Sequence, residues 1–70
     1  MERVRVSSSN LKAVGYDAEE QILEVEFLNG SIYRYFNVPE YKFEGLLRAS
    51  SKGGYLNDHI KGDYRYRRLR

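Results

Sequence analysis

The hydrophobic and polar positions of this chain change their period near residue 37. Before that point apolar residues alternate with polar ones. The runs Ile22-Leu23-Glu24-Val25-Glu26-Phe27-Leu28 and Ser31-Ile32-Tyr33-Arg34-Tyr35-Phe36 flank Asn29-Gly30, a pattern that marks a β-hairpin. Two registers compete. A two-residue turn sets Val25 opposite Arg34 and Glu26 opposite Tyr33, which puts a guanidinium among apolar groups. A three-residue loop, Leu28-Asn29-Gly30 with Gly30 as the left-handed bulge residue, sets Phe27 opposite Ser31, Val25 opposite Tyr33, Leu23 opposite Tyr35 and Glu24 opposite Arg34. Each favourable cross-strand pair contributes only about 0.2–1 kcal/mol, but several of one sign fix a register. The bulged hairpin is therefore expected, with Leu23, Val25, Phe27, Tyr33 and Tyr35 on the core face.

Upstream, Leu11-Lys12-Ala13-Val14-Gly15-Tyr16 reads as the preceding strand, joined to Ile22 by an acidic loop over residues 17–21. Arg3-Val4-Arg5-Val6 alternates and suits a short edge strand, with Ser7-Ser8-Ser9-Asn10 as a turn-like connector. After residue 37 the period becomes helical. Pro39 suits a first-turn position and Glu40 complements the positive end of the helix dipole. Phe43, Leu46, Leu47 and Ser50 then recur at i, i+3, i+4 and i+7. Gly45 inside this helix costs up to about 1 kcal/mol relative to Ala, which implies a close approach to the sheet. A break over residues 50–54 precedes a second short helix through Tyr55, Leu56, His59 and Ile60. The expected fold is α+β: a three-stranded antiparallel β-meander, with a possible short N-terminal edge strand, followed by two short helices packed on one face.

Seventy residues leave room for a single domain. Ten aromatics, seven of them Tyr, supply much of the core, and the absence of Cys excludes disulfides and thiolate chemistry. No apolar run approaches the roughly 20 residues of a membrane span, so a soluble, cytoplasmic protein is expected. The net charge of +2 favours no partner, but its distribution is polar. Residues 16–44 hold seven acids against Arg34 and Lys42, a balance of −5; residues 52–70 hold six bases against Asp58 and Asp63, a balance of +4. The segment over 64–70, Tyr64-Arg65-Tyr66-Arg67-Arg68-Leu69-Arg70, reads as a basic tail interleaved with aromatics. Such a segment can neutralise phosphates and stack on bases. The plainer alternative is a frayed, solvated end whose arginines pair with the acidic middle of the same domain.

Candidate catalytic chemistry is sparse. His59 is the sole imidazole, and Asp58 beside it on a helix points about 100° away, so it cannot easily orient His59 as a base. One His and no Cys make a structural zinc site untenable, and the acids of 17–26 lack the spacing of a calcium loop. Lys52-Gly53-Gly54 resembles a phosphate-cradling loop only superficially, although a helix opening there would aim amides at an anion. Tyr33 and Tyr35 would form a stacking platform if exposed; the preferred register assigns them to the core.

The order of motifs resembles that of the KTSC domain family, which occurs at the C-terminus of some lysyl-tRNA synthetases and as free-standing proteins. The matching features are Ser8-Ser9-Asn10-Leu11, Gly15-Tyr16-Asp17, Leu23-Glu24-Val25-Glu26-Phe27, Asn29-Gly30, Tyr33-Arg34-Tyr35, Val38-Pro39, the run Ala49 to Asn57, and Ile60-Lys61. The resemblance implies a free-standing domain over 1–70 and brings no catalytic residues, metal or cofactor with it; RNA binding is implied only through the synthetase association. The reading that follows is a non-catalytic nucleic-acid-binding module, for RNA in preference to DNA. Its contacts would come from Lys52, Lys61, Tyr64, Arg65, Tyr66, Arg67, Arg68 and Arg70. The alternative is a protein-interaction module that forms a homo-oligomer or takes a foreign protein partner.

Overall fold

Extended backbone forms wherever the two-residue period holds. In chain order the elements are β1 (Arg3–Arg5), β2 (Leu11–Asp17), β3 (Ile22–Phe27), β4 (Ile32–Tyr35), α1 (Glu40–Arg48), α2 (Lys52–His59) and β5 (Tyr66–Arg68); the computed structural model describes residues 1–70. All five strands join one antiparallel sheet in the order β1-β2-β3-β4-β5. After β4 the chain leaves for the helices and returns to the far side of the same strand.

The sheet thus has five strands where the sequence pattern predicts three and an optional edge. The alternating Arg3–Arg5 segment does form that edge. The larger correction concerns residues 64–70, expected as a tail. Tyr66 and Arg68 share one face of an extended segment and Arg67 takes the other, and β4 offers an unpaired row of amides and carbonyls. The segment docks there, with Tyr35 opposite Tyr66, Arg34 opposite Arg67 and Tyr33 opposite Arg68. Pairing continues past the strand itself: the amide of Phe36 donates to the Arg65 carbonyl at 2.9 Å, Leu69 to Ile32 at 2.7 Å, and Ile32 to Arg70 at 2.8 Å.

The β3–β4 hairpin adopts the bulged register. Leu23 faces Tyr35, Glu24 faces Arg34 and Val25 faces Tyr33. The Phe27 amide donates to the Ser31 carbonyl and the Gly30 amide to that of Phe27, both at 2.9 Å. Gly30 has φ +94°, a region that side chains with a Cβ rarely occupy.

One face of the sheet carries the core. Leu11, Val14, Leu23, Val25 and Tyr35 from the strands meet Val38, Leu46, Leu56 and Ile60 from the helical half. Phe43 stacks on Tyr16, ring centroids 5.1 Å apart, and the Tyr16 hydroxyl donates to the Val38 carbonyl, which ties the start of α1 to β2. Leu47, placed on the apolar stripe by spacing, is exposed instead, because α1 meets the sheet along a narrower seam through Leu46. α2 begins at Lys52 inside the expected break, since the Ser51 hydroxyl accepts the Gly54 amide at 3.3 Å and caps the helix. Gly45 makes room for α2 and not for the sheet: a Cβ there would collide with the Tyr55 hydroxyl.

The opposite face carries charge. Glu24, only 5% exposed, sits between Arg34 Nε at 2.7 Å and Arg3 Nε at 3.1 Å. Glu26 receives Arg3 at 3.2 Å, Lys12 at 3.8 Å and Arg70 at 3.9 Å.

Three substitutions test this account. Gly30→Ala is expected to lower unfolding stability by about 1 kcal/mol in urea denaturation. Gly62→Ala, where an added Cβ meets nothing within 4 Å, is expected to stay within about 0.5 kcal/mol of the parent. Equal losses at the two positions would contradict the bulge. Glu24→Gln removes the shared partner of two arginines and leaves them facing each other across β3. A loss of about 1–2 kcal/mol is expected, since both arginines keep access to water, and melting at two salt concentrations measures it.

Candidate nucleic-acid interface

The two helices cover the sheet only as far as β4. Beyond them, on the core face, the side chains of Phe27, Tyr33, Tyr35 and Tyr66 and the stem of Lys61 line a cleft of about 280 Å³. Strand alternation delivers the rings: Phe27 from the end of β3, Tyr33 and Tyr35 two residues apart on β4, and Tyr66 from β5. Lys61 arrives just after α2. A broader, shallower depression continues over Lys61, Gly62, Asp63, Tyr64, Arg65 and Tyr66, so Lys61 and Tyr66 belong to both hollows.

The rings form a chain of contacts. Phe27 meets Tyr33 edge to face at 5.6 Å, and Tyr33 lies 6.3 Å from Tyr35 with nearly parallel planes. Tyr66 tilts against both, at 5.7 Å and 5.9 Å. The Arg68 guanidinium carbon stands 5.8 Å from the Tyr33 centroid, a cation–π distance worth about 0.5–1 kcal/mol at an exposed site. Tyr35 is 2% exposed, and burial, followed by the phenols of Tyr33 and Tyr66, pushes its pKa up from the ordinary 10.0 to about 12. Tyr35 is therefore core, as expected from the register. Tyr33 is half-buried and is shared between the core and the cleft.

The eight residues expected to contact nucleic acid do not all converge. Lys61, Tyr64, Arg65 and Tyr66 line the continuous hollow, and Arg68 joins it through Tyr33. Arg67 projects from the other face of β5, opposite Arg34. Lys52 stands apart, its ammonium donating to the Ala49 carbonyl at 2.9 Å. Arg70 folds back on the hairpin, bonding the Gly30 carbonyl at 3.3 Å and approaching Glu26. The self-pairing alternative thus holds for Arg70. Lys61, Arg65, Arg67 and Arg68 take part in none of the domain's ion pairs. Sequence reasoning overlooked Phe27 as a lining residue. The signal was its place two residues beyond Val25 on the same strand face, at the end that no helix reaches.

The tyrosine cluster carries a pH signature. A phenol whose folded pKa lies above its unfolded value stabilises the fold fully below the unfolded value, and that stability is lost as pH rises through the folded one. For Tyr35 the window runs from pH 10.0 to about 12; Tyr16, raised by burial and by Glu40 and Asp17, adds to it. Chemical denaturation across this range should show falling stability, with a shallower fall in Tyr35→Phe. A Tyr35→Phe curve parallel to the parent's would contradict the assignment.

No helix of the structure is long and apolar enough to cross a membrane. A model of the KTSC domain matches residues 7–64. An uncharacterized protein of Stutzerimonas stutzeri is 49% identical over 70 residues, covering 99% of both chains. A lysine–tRNA ligase of Nostoc is 42% identical over 66 residues, 94% of this chain but 12% of the ligase. The crystal structure of a KTSC domain protein from Yersinia pestis superposes with a TM-score of 0.92 at 36% identity, over 99% of this chain and 97% of that one. Sequence likeness across nearly the full length, together with the shared five-stranded architecture, places this chain in the KTSC domain family.

Proposed function

We propose that this domain is a non-catalytic nucleic-acid-binding module that takes single-stranded RNA in preference to DNA along β5 and the adjoining hollow. The observation that carries this reading is the gathering of three cations free of carboxylate partners, Lys61, Arg65 and Arg68, beside the rings of Tyr33 and Tyr66, with a fourth, Arg67, on the other face of β5. Phosphates are neutralised by such cations and unpaired bases stack on such rings. Arg67 adds a reason of its own. It stands opposite Arg34, whose charge Glu24 already meets at 2.7 Å, so the Arg67 guanidinium is left for a bound phosphate. The preference for RNA rests on the relatives named as lysine–tRNA ligases, and an RNA ligand places the work in the cytoplasm. Catalysis has little to build on, since His59 packs against the Tyr55 ring at 4.6 Å and has no carboxylate to orient it.

Self-association through the sheet edges is the weaker reading. β1 and β5 are both open to strand addition, but each edge carries arginines, the device by which edge strands resist pairing with their own kind.

The test is fluorescence anisotropy with a labelled single-stranded RNA at about 50 and about 200 mM salt. Affinity should fall steeply with salt. Arg65→Ala and Arg67→Ala should each lower the slope of log K against log salt by about 0.7, the value for one lost phosphate contact on a single strand, while Lys52→Ala and Arg70→Ala should leave it unchanged. Point substitutions are required because removing residues 64–70 would strip β5 from the sheet. No binding at low salt, or equal effects of all four variants, would contradict the proposal.

A further inference from the structure

Resting on the nucleic-acid reading above, we infer that the cleft between β3, β4 and β5 seats one unstacked nucleobase, with Lys61 and Arg65 holding the phosphate attached to it. The volume of about 280 Å³ is far more than the roughly 30 Å³ a water occupies in the liquid and lies just below the roughly 300–1,000 Å³ of small-molecule pockets. It suits one ring system. The lining supplies flat partners, with Tyr33 and Tyr66 packed together at 5.7 Å and inclined at 39°, and Tyr66 is 60% exposed, so its ring offers a surface for stacking.

The depth of the cleft adds a polar reader. No buried side-chain nitrogen or oxygen of the domain lacks a hydrogen-bond partner, and the Tyr35 hydroxyl bonds to no other group of the chain, so it opens into the cleft it lines. A phenol donor in an aromatic lining matches the acceptors on a base edge. At the mouth, Lys61 borders both the cleft and the depression that holds Arg65, which puts positive charge where a ribose phosphate would emerge. The charge decides between occupants. Lys61 and Arg65 outnumber Asp63, the one carboxylate of the depression, so a nucleotide meets both the rings and a net positive charge, whereas an apolar side chain from a protein would use the rings alone. A base held within a duplex stack cannot enter, so the site selects unpaired nucleotides.

Nuclear magnetic resonance on the full chain tests this directly, with nucleoside monophosphates, the parent nucleosides and inorganic phosphate titrated separately. The monophosphates are expected to shift the ring resonances of Tyr33, Tyr35 and Tyr66 and the amide of Lys61, at concentrations about tenfold lower than phosphate or nucleoside alone. Equal shifts from inorganic phosphate, or shifts confined to Arg67, would overturn the cleft as a base site. With labelled single-stranded RNA, Tyr66→Leu should weaken binding about tenfold, as expected for one lost stack, while Tyr66→Phe stays within about twofold because the ring remains. RNA binding that is salt-sensitive yet unaffected by Tyr66→Leu, or equally tight for a duplex, would overturn this inference and leave the β5 interface standing. Absence of any RNA binding by the unaltered chain would remove the functional reading, and the monophosphate titration would still decide the cleft.

Discussion

The ladder between β4 and β5 is the constraint on which the rest of the molecule depends. Without it β4 would be a bare edge and Tyr35 would lose the ring that closes over it from Tyr66. Each backbone bond contributes only about 0.5–1.5 kcal/mol net, and Arg67 is set against Arg34 across the pair. The strand stays docked because the ladder runs from Arg65 to Arg70 and because Tyr66 and Arg68 both lie against β4 rings. Docking converts a chain terminus with no shape of its own into a rigid, basic rim.

The same pairing sorts the charge. Glu24 and Glu26 lie on the face away from the helices and gather Arg3, Lys12, Arg34 and Arg70 around them. Glu24 pairs with Arg3 and Arg34, and Glu26 with Arg3, Lys12 and Arg70. What remains of the C-terminal excess is held on or beside β5. The family model ends at residue 64, before this strand, yet the likeness to the Yersinia pestis structure extends over 99% of the chain and so takes β5 in. The strand is thus part of the shared architecture even where its sequence lies outside the family's matched segment.

Local pattern made most of the fold legible. The hairpin register followed from apolar matching and from one glycine, because a one-residue slip would have moved every side chain to the wrong face. The two helices followed from Pro39 and the spacing of Phe43 and Leu46. The fifth strand was also written in the sequence, as the alternation of Tyr64 and Tyr66 with Arg65 and Arg67, but four arginines in seven residues mask a strand whose residues all stay exposed. Which bases stay free was not legible at all. It depends on which carboxylates each base can reach in three dimensions, and only Glu24 and Glu26 enter ion pairs, which charge counting over a segment cannot resolve. The cleft was half legible: Tyr33 and Tyr35 were singled out, but where the helical cover stops is a matter of helix length and placement.

Amide hydrogen exchange on the intact chain tests the central claim most directly. If β5 is a docked strand, the amides of Ile32, Phe36 and Leu69, which bond across to the partner segment, exchange well below random-coil rates, and that protection is lost together with the tyrosine cluster when Tyr66 is truncated to Ala. Exchange of Leu69 at the rate of an unstructured peptide, with the β2–β3 amides still protected, would show a free basic tail and contradict the account.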